Sequence, residues 1–226
     1  MFARVAADLR ENPSRWALAF LFVLALFPSL DLALSALFYR PGVGFTWSAD
    51  GFLEFVRRAV PDMVLASFVL CAGLWLAGLA GLTARWRLAT PPMAYLLLTL
   101  AAGPGLIVET VLKPFWGRAR PKDITMFGGD AVYTLPWQIA DQCSKNCSFV
   151  SGHAAIAFWV TAYAFLLPQR WRAAGVAAGI LFGFGVGFVR IAQGAHFFSD
   201  IAAAGLIVFG INYLAARFML FRHGNS

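Results

Sequence analysis

Charge is scarce in this sequence. Asp, Glu, Lys and Arg make up only 13% of its 226 residues, while 60% are hydrophobic. A soluble domain carries about 25% charged residues, so the chain lacks the polar surface that water demands. Its mean hydropathy is +0.71, and its apolar residues gather in long uncharged runs. That excludes an ordinary water-soluble domain and leaves the bilayer as solvent. The length suits one domain, residues 1–226.

Histidine is scarcer still, with three in the chain: His153, His196 and His223. A structural or catalytic metal takes three or four protein ligands. His153 and His196 sit among cations that would repel a metal, and His223 lies far along the chain, so neither a metal nor another cofactor is expected. Cysteine is also rare, with three residues, which excludes a disulfide scaffold. Cys71 lies in an apolar run and reads as packing. Cys143 and Cys147 share a polar loop and could close a small disulfide if that loop faces an oxidising compartment. Two free thiols are the alternative, because spacing says nothing about Cβ geometry.

Acidic residues are outnumbered, 11 against 18 Lys and Arg, for a net charge of +7. The cations come in ones and twos between apolar runs, as they do beside membrane spans. With no basic stripe or binding motif, nucleic acid is not an expected partner.

An α-helical span needs about 20 apolar residues. Six are expected: Trp16 to Tyr39, Met63 to Ala84, Leu88 to Val108, Ala154 to Gln169, Ala173 to Val189, and Ile201 to Ala216. The fold class is therefore all-α and polytopic, with Gly103-Pro104-Gly105 expected to kink the third span. The last three runs are short and bounded by His, Arg or Asp, which places those polar residues inside the helix ends. Two short interfacial helices are expected, over the first fifteen residues and from Gly51 to Val60, where Phe52, Phe55 and Val56 are backed by Arg57 and Arg58. A cleaved signal peptide ending near Ala33-Leu34-Ser35 is the rival reading of the first run. Gly175, Gly179, Gly183 and Gly187 recur every four residues and read as a face for close helix packing. The cations divide evenly between the two sides, but the short loops at Arg85/Arg87 and Arg170/Arg172 are wholly basic. The positive-inside bias then puts the N-terminus in the cytoplasm.

Three polar segments punctuate these runs: Lys113 through Arg118 and Arg120 to Pro121, then Ser151-Gly152-His153, then Arg190 through His196 to Asp200. Alternating span direction puts all three on one face of the membrane. Lys113, Arg120 and Arg190 could hold a phosphate and the charge that builds on its oxygens. Ser151 and Gly152 open a helix whose free N–H groups attract an anion. His196 and Asp200, four apart, would share a helical face. Asp200 could then accept the Nδ1 proton and leave Nε2 of His196 to attack phosphorus. His153 remains as the acid for a leaving alkoxide. Each segment also has a plainer reading: a juxtamembrane basic loop, a common tripeptide, and a buried hydrogen-bonded pair.

Together and in this order the segments resemble the type 2 phosphatidic acid phosphatase superfamily, whose motifs read Lys-x6-Arg-Pro, Pro-Ser-Gly-His and Ser-Arg-x5-His-x3-Asp. The match runs from Lys113 to Asp200, and the six-span layout extends it over the chain. The resemblance implies phosphate binding by Lys113, Arg120, Arg190, Ser151 and Gly152. It implies His153 as acid, His196 as a nucleophile forming a phosphohistidine, and Asp200 as its partner. It also implies a site facing the periplasm from a bacterial inner membrane. Val150 and Val189 depart from the pattern, standing where the family has proline and serine.

The loop from Phe127-Gly128-Gly129-Asp130 to Asn146 through Ser151 looks like a bacterial branch that includes lipid A phosphatases. The extra cations Arg118, Lys122 and Lys145 would suit a multiply phosphorylated headgroup, and equally a phosphatidylglycerol phosphate or a polyprenyl diphosphate. The expected partner is thus a phosphorylated lipid. A proton-coupled transporter using Asp31, Glu109, His153 and Asp200 is the reading from another class, although the two halves show no inverted repeat. The oligomeric state is open.

Overall fold

A computed structural model describes residue 12, residues 27–82 and residues 90–221. The expected N-terminal interfacial helix, the first half of the first span and the Arg85/Arg87 loop lie outside the described residues. The chain is helical over 27–36 (α1), and this helix stops short of Tyr39. Two short antiparallel strands follow, β1 (Tyr39–Arg40) and β2 (Gly44–Phe45), with Tyr39 opposite Phe45. This hairpin is a small departure from the all-α expectation.

Helix α2 runs Gly51–Leu79 without a break. The expected interfacial helix and second span are therefore one element. Asp50 caps it by accepting the Leu53 N–H at 2.9 Å, and the helix continues through Pro61. At 1.5 Å per residue it is about 43 Å long, more than the roughly 30 Å of a bilayer's hydrocarbon. That length lets its first turns, with Glu54, Arg57 and Arg58, stand clear of the apolar layer. Met63, Leu65, Val69, Leu70 and Leu76 lie exposed on it, a surface suited to lipid tails.

The third run begins as α3 (Thr90–Leu100) and continues as a π-helix over Ala101–Leu112, then one α-turn, α4 (Lys113–Phe115). Pro104 sits inside the π segment. The Thr110 hydroxyl donates to the Gly105 carbonyl five residues back, at 3.0 Å. At the Gly-Pro-Gly where a kink is expected the helix changes its winding, a recognised cause of bending.

The last three runs form α5 (Gly152–Trp159) with α6 (Thr161–Leu166), α7 (Gln169–Ala192) and α8 (Phe198–Met219). Among the described residues four helices are long and apolar enough to cross a membrane: Gly51–Leu79, Pro91–Phe115, Gln169–Ala192 and Phe198–Met219. The Gly152–Leu166 stretch is shorter. Both α7 and α8 extend past the apolar runs to take in Arg190 and Asp200.

The bundle closes on the glycine face of α7. A Cβ on Gly175 would lie 2.8 Å from Leu167, on Gly179 2.7 Å from Thr161, on Gly183 2.3 Å from Phe158, and on Gly187 2.3 Å from Ile201. Without side chains there, α5, α6 and α8 approach the α7 backbone and build the main core around Phe158, Trp159, Val108 and Val208. Several polar groups inside this core are paired, while Asn212 Oδ1 and Trp75 Nε1 have no partner among the described residues. Trp159 Nε1 donates to Thr99 Oγ1 at 3.0 Å, and Asn212 Nδ2 donates to Thr161 Oγ1 at 3.0 Å. A second aromatic cluster, Phe45, Ile124, Phe127 and Phe197 with Tyr39 and Tyr133, covers one end of the bundle.

Gly183→Val forces a side chain into Phe158 and is expected to cost about 1–3 kcal/mol, the usual price of overpacking. Gly185→Ala, which meets nothing within 4 Å, is the comparison. Thermal unfolding in detergent should separate the two by several degrees; equal midpoints would contradict the packing described.

Candidate active site

The three polar segments meet at one end of the bundle, and two glycines shape their approach. Gly117 has φ of +63°, and a Cβ there would lie 1.7 Å from the Ala140 carbonyl oxygen. Gly194 has φ of +64°, and a Cβ there would strike the ring of Phe45 at 2.4 Å. Both positions combine a left-handed backbone with contact too close for any side chain. The first aims Arg118 inward just after α4. The second folds the chain between α7 and α8 so that His196 turns back into the protein.

His196 lies in this turn, two residues before α8, so it does not share a helical face with Asp200 as the spacing suggests. Its Nδ1 lies 2.7 Å from the Ser148 carbonyl oxygen and 3.7 Å from Asp200 Oδ2. The expected Nδ1–Asp200 hydrogen bond is thus replaced by one to the backbone. A carbonyl can only accept, so Nδ1 carries the proton and Nε2 keeps its lone pair. Only 1% of His196 is exposed. Burial pulls its pKa down to about 4, against the opposing pull of Asp200, so the ring is neutral at pH 7.

Asp200 is occupied elsewhere. Its Oδ2 accepts the Ser148 hydroxyl at 2.5 Å and the Phe197 N–H at 2.8 Å, and its Oδ1 accepts Arg118 Nη1 at 2.6 Å. It sits in the first turn of α8, where an acid also caps free N–H groups. Asp200 therefore orients His196 at one remove, through Ser148 and the backbone of Phe197.

Arg118 is fully buried and does not reach a headgroup, which corrects the expectation from its charge. Its guanidinium lies between Asp200 and Asp31, with Nη2 donating to Asp31 Oδ2 at 2.8 Å. Nη1 also donates to Ser199 Oγ at 2.7 Å, Nε donates to the Thr134 carbonyl at 3.0 Å, and the plane stacks 4.5 Å from the Phe197 ring. Burial alone would weaken its charge, but Asp200 and Asp31 hold its pKa above the ordinary value. Asp31 accepts three further bonds, from the Ser199 N–H at 2.7 Å, the Ser199 hydroxyl at 2.6 Å and the Tyr133 hydroxyl at 3.1 Å. Neither carboxylate is left free to carry protons across a membrane.

Three of the other expected cations, Arg120, Lys122 and Arg190, border an open cavity of about 200 Å³, lined also by Glu54, Arg57 and Gln193; Lys113 is not in its lining. Ala195, the neighbour of His196, completes one wall. Arg120 is held there by the Asn146 carbonyl, which accepts from Nε at 3.1 Å and Nη2 at 2.7 Å. Asn146 belongs to the ring closed by a Cys143–Cys147 disulfide, whose Cα atoms are 5.6 Å apart. Arg190 donates to Gln193, and its buried Nε has no protein partner among the described residues.

Ser151 caps α5, its hydroxyl accepting the Ala154 N–H at 3.4 Å. Gly152 leaves room for its neighbours, since a Cβ would lie 1.8 Å from Glu109 Oε1 and 3.4 Å from Lys113 Nζ. Lys113 is paired with Glu109 at 3.0 Å, beside the start of α5. His153, in the first turn, is neutral in the free site, its pKa lowered to about 3 by burial and by the nearby Arg190, His196 and Lys113; a bound phosphate dianion opposes that shift. Val150, where the motif has proline, is fully buried. Among the described residues no three His, Cys, Asp or Glu side chains converge in a metal-binding group.

Comparison with known proteins bears on what such a site does. The family model of the PAP2 superfamily matches residues 92–223, which contain all three segments. The chain belongs to the PAP2 superfamily. A protein named lipid A 4'-phosphatase from Francisella tularensis subsp. novicida is 36% identical over 199 residues, covering 84% of this chain and 86% of the relative. A lipid A 4'-phosphatase from Rhizobium leguminosarum is 30% identical over 213 residues, covering 86% and 89%. No solved structure matches the chain at a significant level. This PAP2 protein is a phosphoric ester hydrolase of the membrane, which displaces the transporter reading.

Sequence reasoning missed Asp31, Ser148 and Ser199 as parts of the site. Only Asp31 carries a visible signal, as a lone acid in an apolar run that requires a buried cation. Replacing Arg118 by Ala strands two buried carboxylates, a loss of about 3–5 kcal/mol for a broken buried pair. The expected outcome is a large fall in melting temperature in detergent together with loss of phosphatase activity; near-native stability and turnover would contradict the buried pairing.

Proposed function

We propose that this protein dephosphorylates the headgroup of lipid A or a related bacterial phospholipid, at the periplasmic face of the inner membrane, with His196 as nucleophile. The observation that carries the reading is the contact of His196 Nδ1 with the Ser148 carbonyl. It fixes the tautomer in which a neutral ring offers Nε2 for attack.

In the first step Nε2 bonds to phosphorus as the bond from phosphorus to the lipid oxygen breaks, and His153 gives that oxygen a proton. Arg120, Arg190 and Lys113 balance the charge on the transferred group, helped by the N–H groups at the start of α5. Displacement of Glu109 by the phosphate would free Lys113 for this role. In the second step His153 takes a proton from water, which attacks phosphorus, releasing phosphate and restoring His196. Neither step requires a metal.

Two observations support the substrate and the side of the membrane. The relatives named lipid A 4'-phosphatase align over most of their length. The disulfide beside the site suits an oxidising compartment. The cavity is smaller than the roughly 300–1,000 Å³ of a drug-sized pocket, as befits a site that admits a headgroup and leaves the acyl chains in the bilayer.

Purified protein in detergent, given lipid A, phosphatidylglycerol phosphate and polyprenyl diphosphate in the presence of EDTA, should release phosphate fastest from lipid A. His196→Ala should reduce that rate by at least about 10³-fold. Residual activity above about a tenth of wild type would exclude His196 as nucleophile, and preference for another lipid would overturn the substrate.

A further inference from the structure

The cavity contains more positive charge than one phosphate uses. Arg57, Arg120, Lys122 and Arg190 line it, with Glu54 the one acid in the lining. Four cations against one carboxylate leave a surplus of three, and a phosphate monoester carries at most two negative charges. Lys113, outside this lining, is balanced by Glu109 and adds nothing to the excess. Unbalanced cations in a half-enclosed site repel one another, and Arg190 feels both Arg120 and Arg57. Such an arrangement suits a ligand with more than one anionic group.

Arg57 and Lys122 are the lining cations for which no motif gives a reason, and Arg57 is the one paired with the acid of the same lining. It comes from α2, far in sequence from the three segments, and its side chain is one-third exposed. Glu54, one turn earlier, accepts Arg57 Nε at 2.6 Å and Nη2 at 2.5 Å. That bidentate grip fixes the plane of the guanidinium. Glu54 also accepts Arg58 Nε at 2.7 Å, so two cations share one carboxylate and a full positive charge remains. Arg58 is mostly exposed, at 70%, and is not part of the lining. The length of α2 allows these first turns to stand clear of the apolar layer. Arg57 lines the same cavity as Arg120 and Arg190 of the proposed clamp and is not itself one of the motif cations.

We propose that Arg57 is a specificity-determining residue, held by Glu54, that binds a second anionic group on the headgroup next to the phosphate being removed. Lys122, also in the lining, assists. The inference rests on the lipid phosphatase reading and adds the substrate class: a lipid whose headgroup carries a further phosphate or carboxylate close to the scissile one. A charge-assisted contact of this kind is realised only by substrates with that second group.

The test compares two short-chain lipids that differ in this feature: dioctanoyl phosphatidylglycerol phosphate, with a phosphodiester near the terminal phosphate, and dioctanoyl phosphatidic acid, with one phosphate only. The ratio of their kcat/KM values is measured for wild type, Arg57→Gln, Arg57→Lys and Arg58→Gln, with melting temperatures recorded alongside. Arg57→Gln should shift the ratio against the doubly anionic lipid by about tenfold, chiefly through KM. Arg57→Lys should recover part of it. Arg58→Gln, which removes a contact to the same carboxylate outside the cavity, should leave the ratio unchanged. An equal fall on both lipids, or an equal shift from Arg58→Gln, would overturn the proposal while the phosphatase reading stands. Hydrolysis of neither lipid by wild type that does release phosphate from lipid A would overturn the proposal alone, and release from none of the three would remove both.

Discussion

Moving an arginine out of water costs several kcal/mol even after the protein relaxes around it, and Arg118 is fully buried. What makes that position tolerable is a carboxylate on each side, Asp31 at 2.8 Å and Asp200 at 2.6 Å. These three side chains come from α1, from the loop after α4 and from the first turn of α8. Each charge is stable only while the other two are in place, so the ends of those elements are tied to one another. The same constraint reaches the chemistry. Asp200, fixed by Arg118, accepts from the Ser148 hydroxyl and the Phe197 N–H. The Ser148 carbonyl in turn fixes the ring of His196. A buried ion pair is often weak evidence for stability; here it is better understood as a device that fixes geometry.

Charge is therefore layered. Beneath His196 lies a balanced layer, in which one guanidinium and two carboxylates satisfy each other without solvent. Above it the cavity is unbalanced, with arginines and a lysine awaiting an anion. Keeping the two layers apart needs covering groups, and the aromatic cluster of Phe45, Phe127 and Phe197 supplies them. It also needs a fixed position for Arg120, supplied by the carbonyl of Asn146 within the disulfide ring. A PAP2 site thus combines a dry positioning network with a wet anion trap in a few turns of chain.

Much of this was legible in the sequence, and the rest was hidden for identifiable reasons. Apolar runs marked the long helices because their lipid-facing sides need no polar residues, and the glycine repeat of α7 marked the tight packing. The motif spacing placed Lys113, Arg120, Ser151, His153, Arg190, His196 and Asp200 at one end of the bundle. Residue type could not separate Arg118, which is buried, from Arg120, which faces the cavity, because both are arginines two positions apart. Counting four residues from His196 to Asp200 suggested a shared helical face, but the left-handed Gly194 delays the helix until Phe198. Ser148 acts through its carbonyl as well as its hydroxyl, and a backbone contact leaves no mark on composition. The continuity of α2 through Pro61 was likewise invisible to a reading that stops helices at proline.

The central claim is that Nε2 of His196, freed by the Ser148 carbonyl, becomes phosphorylated. It is tested most directly by mixing the protein with a lipid substrate labelled with ³²P in the scissile phosphate, quenching in alkali within one turnover, and mapping the labelled peptide. The account predicts label that survives alkali, is lost in acid, and resides on the peptide containing His196. Label on Ser148, Ser151 or His153, or none under conditions where turnover is fast, would contradict it.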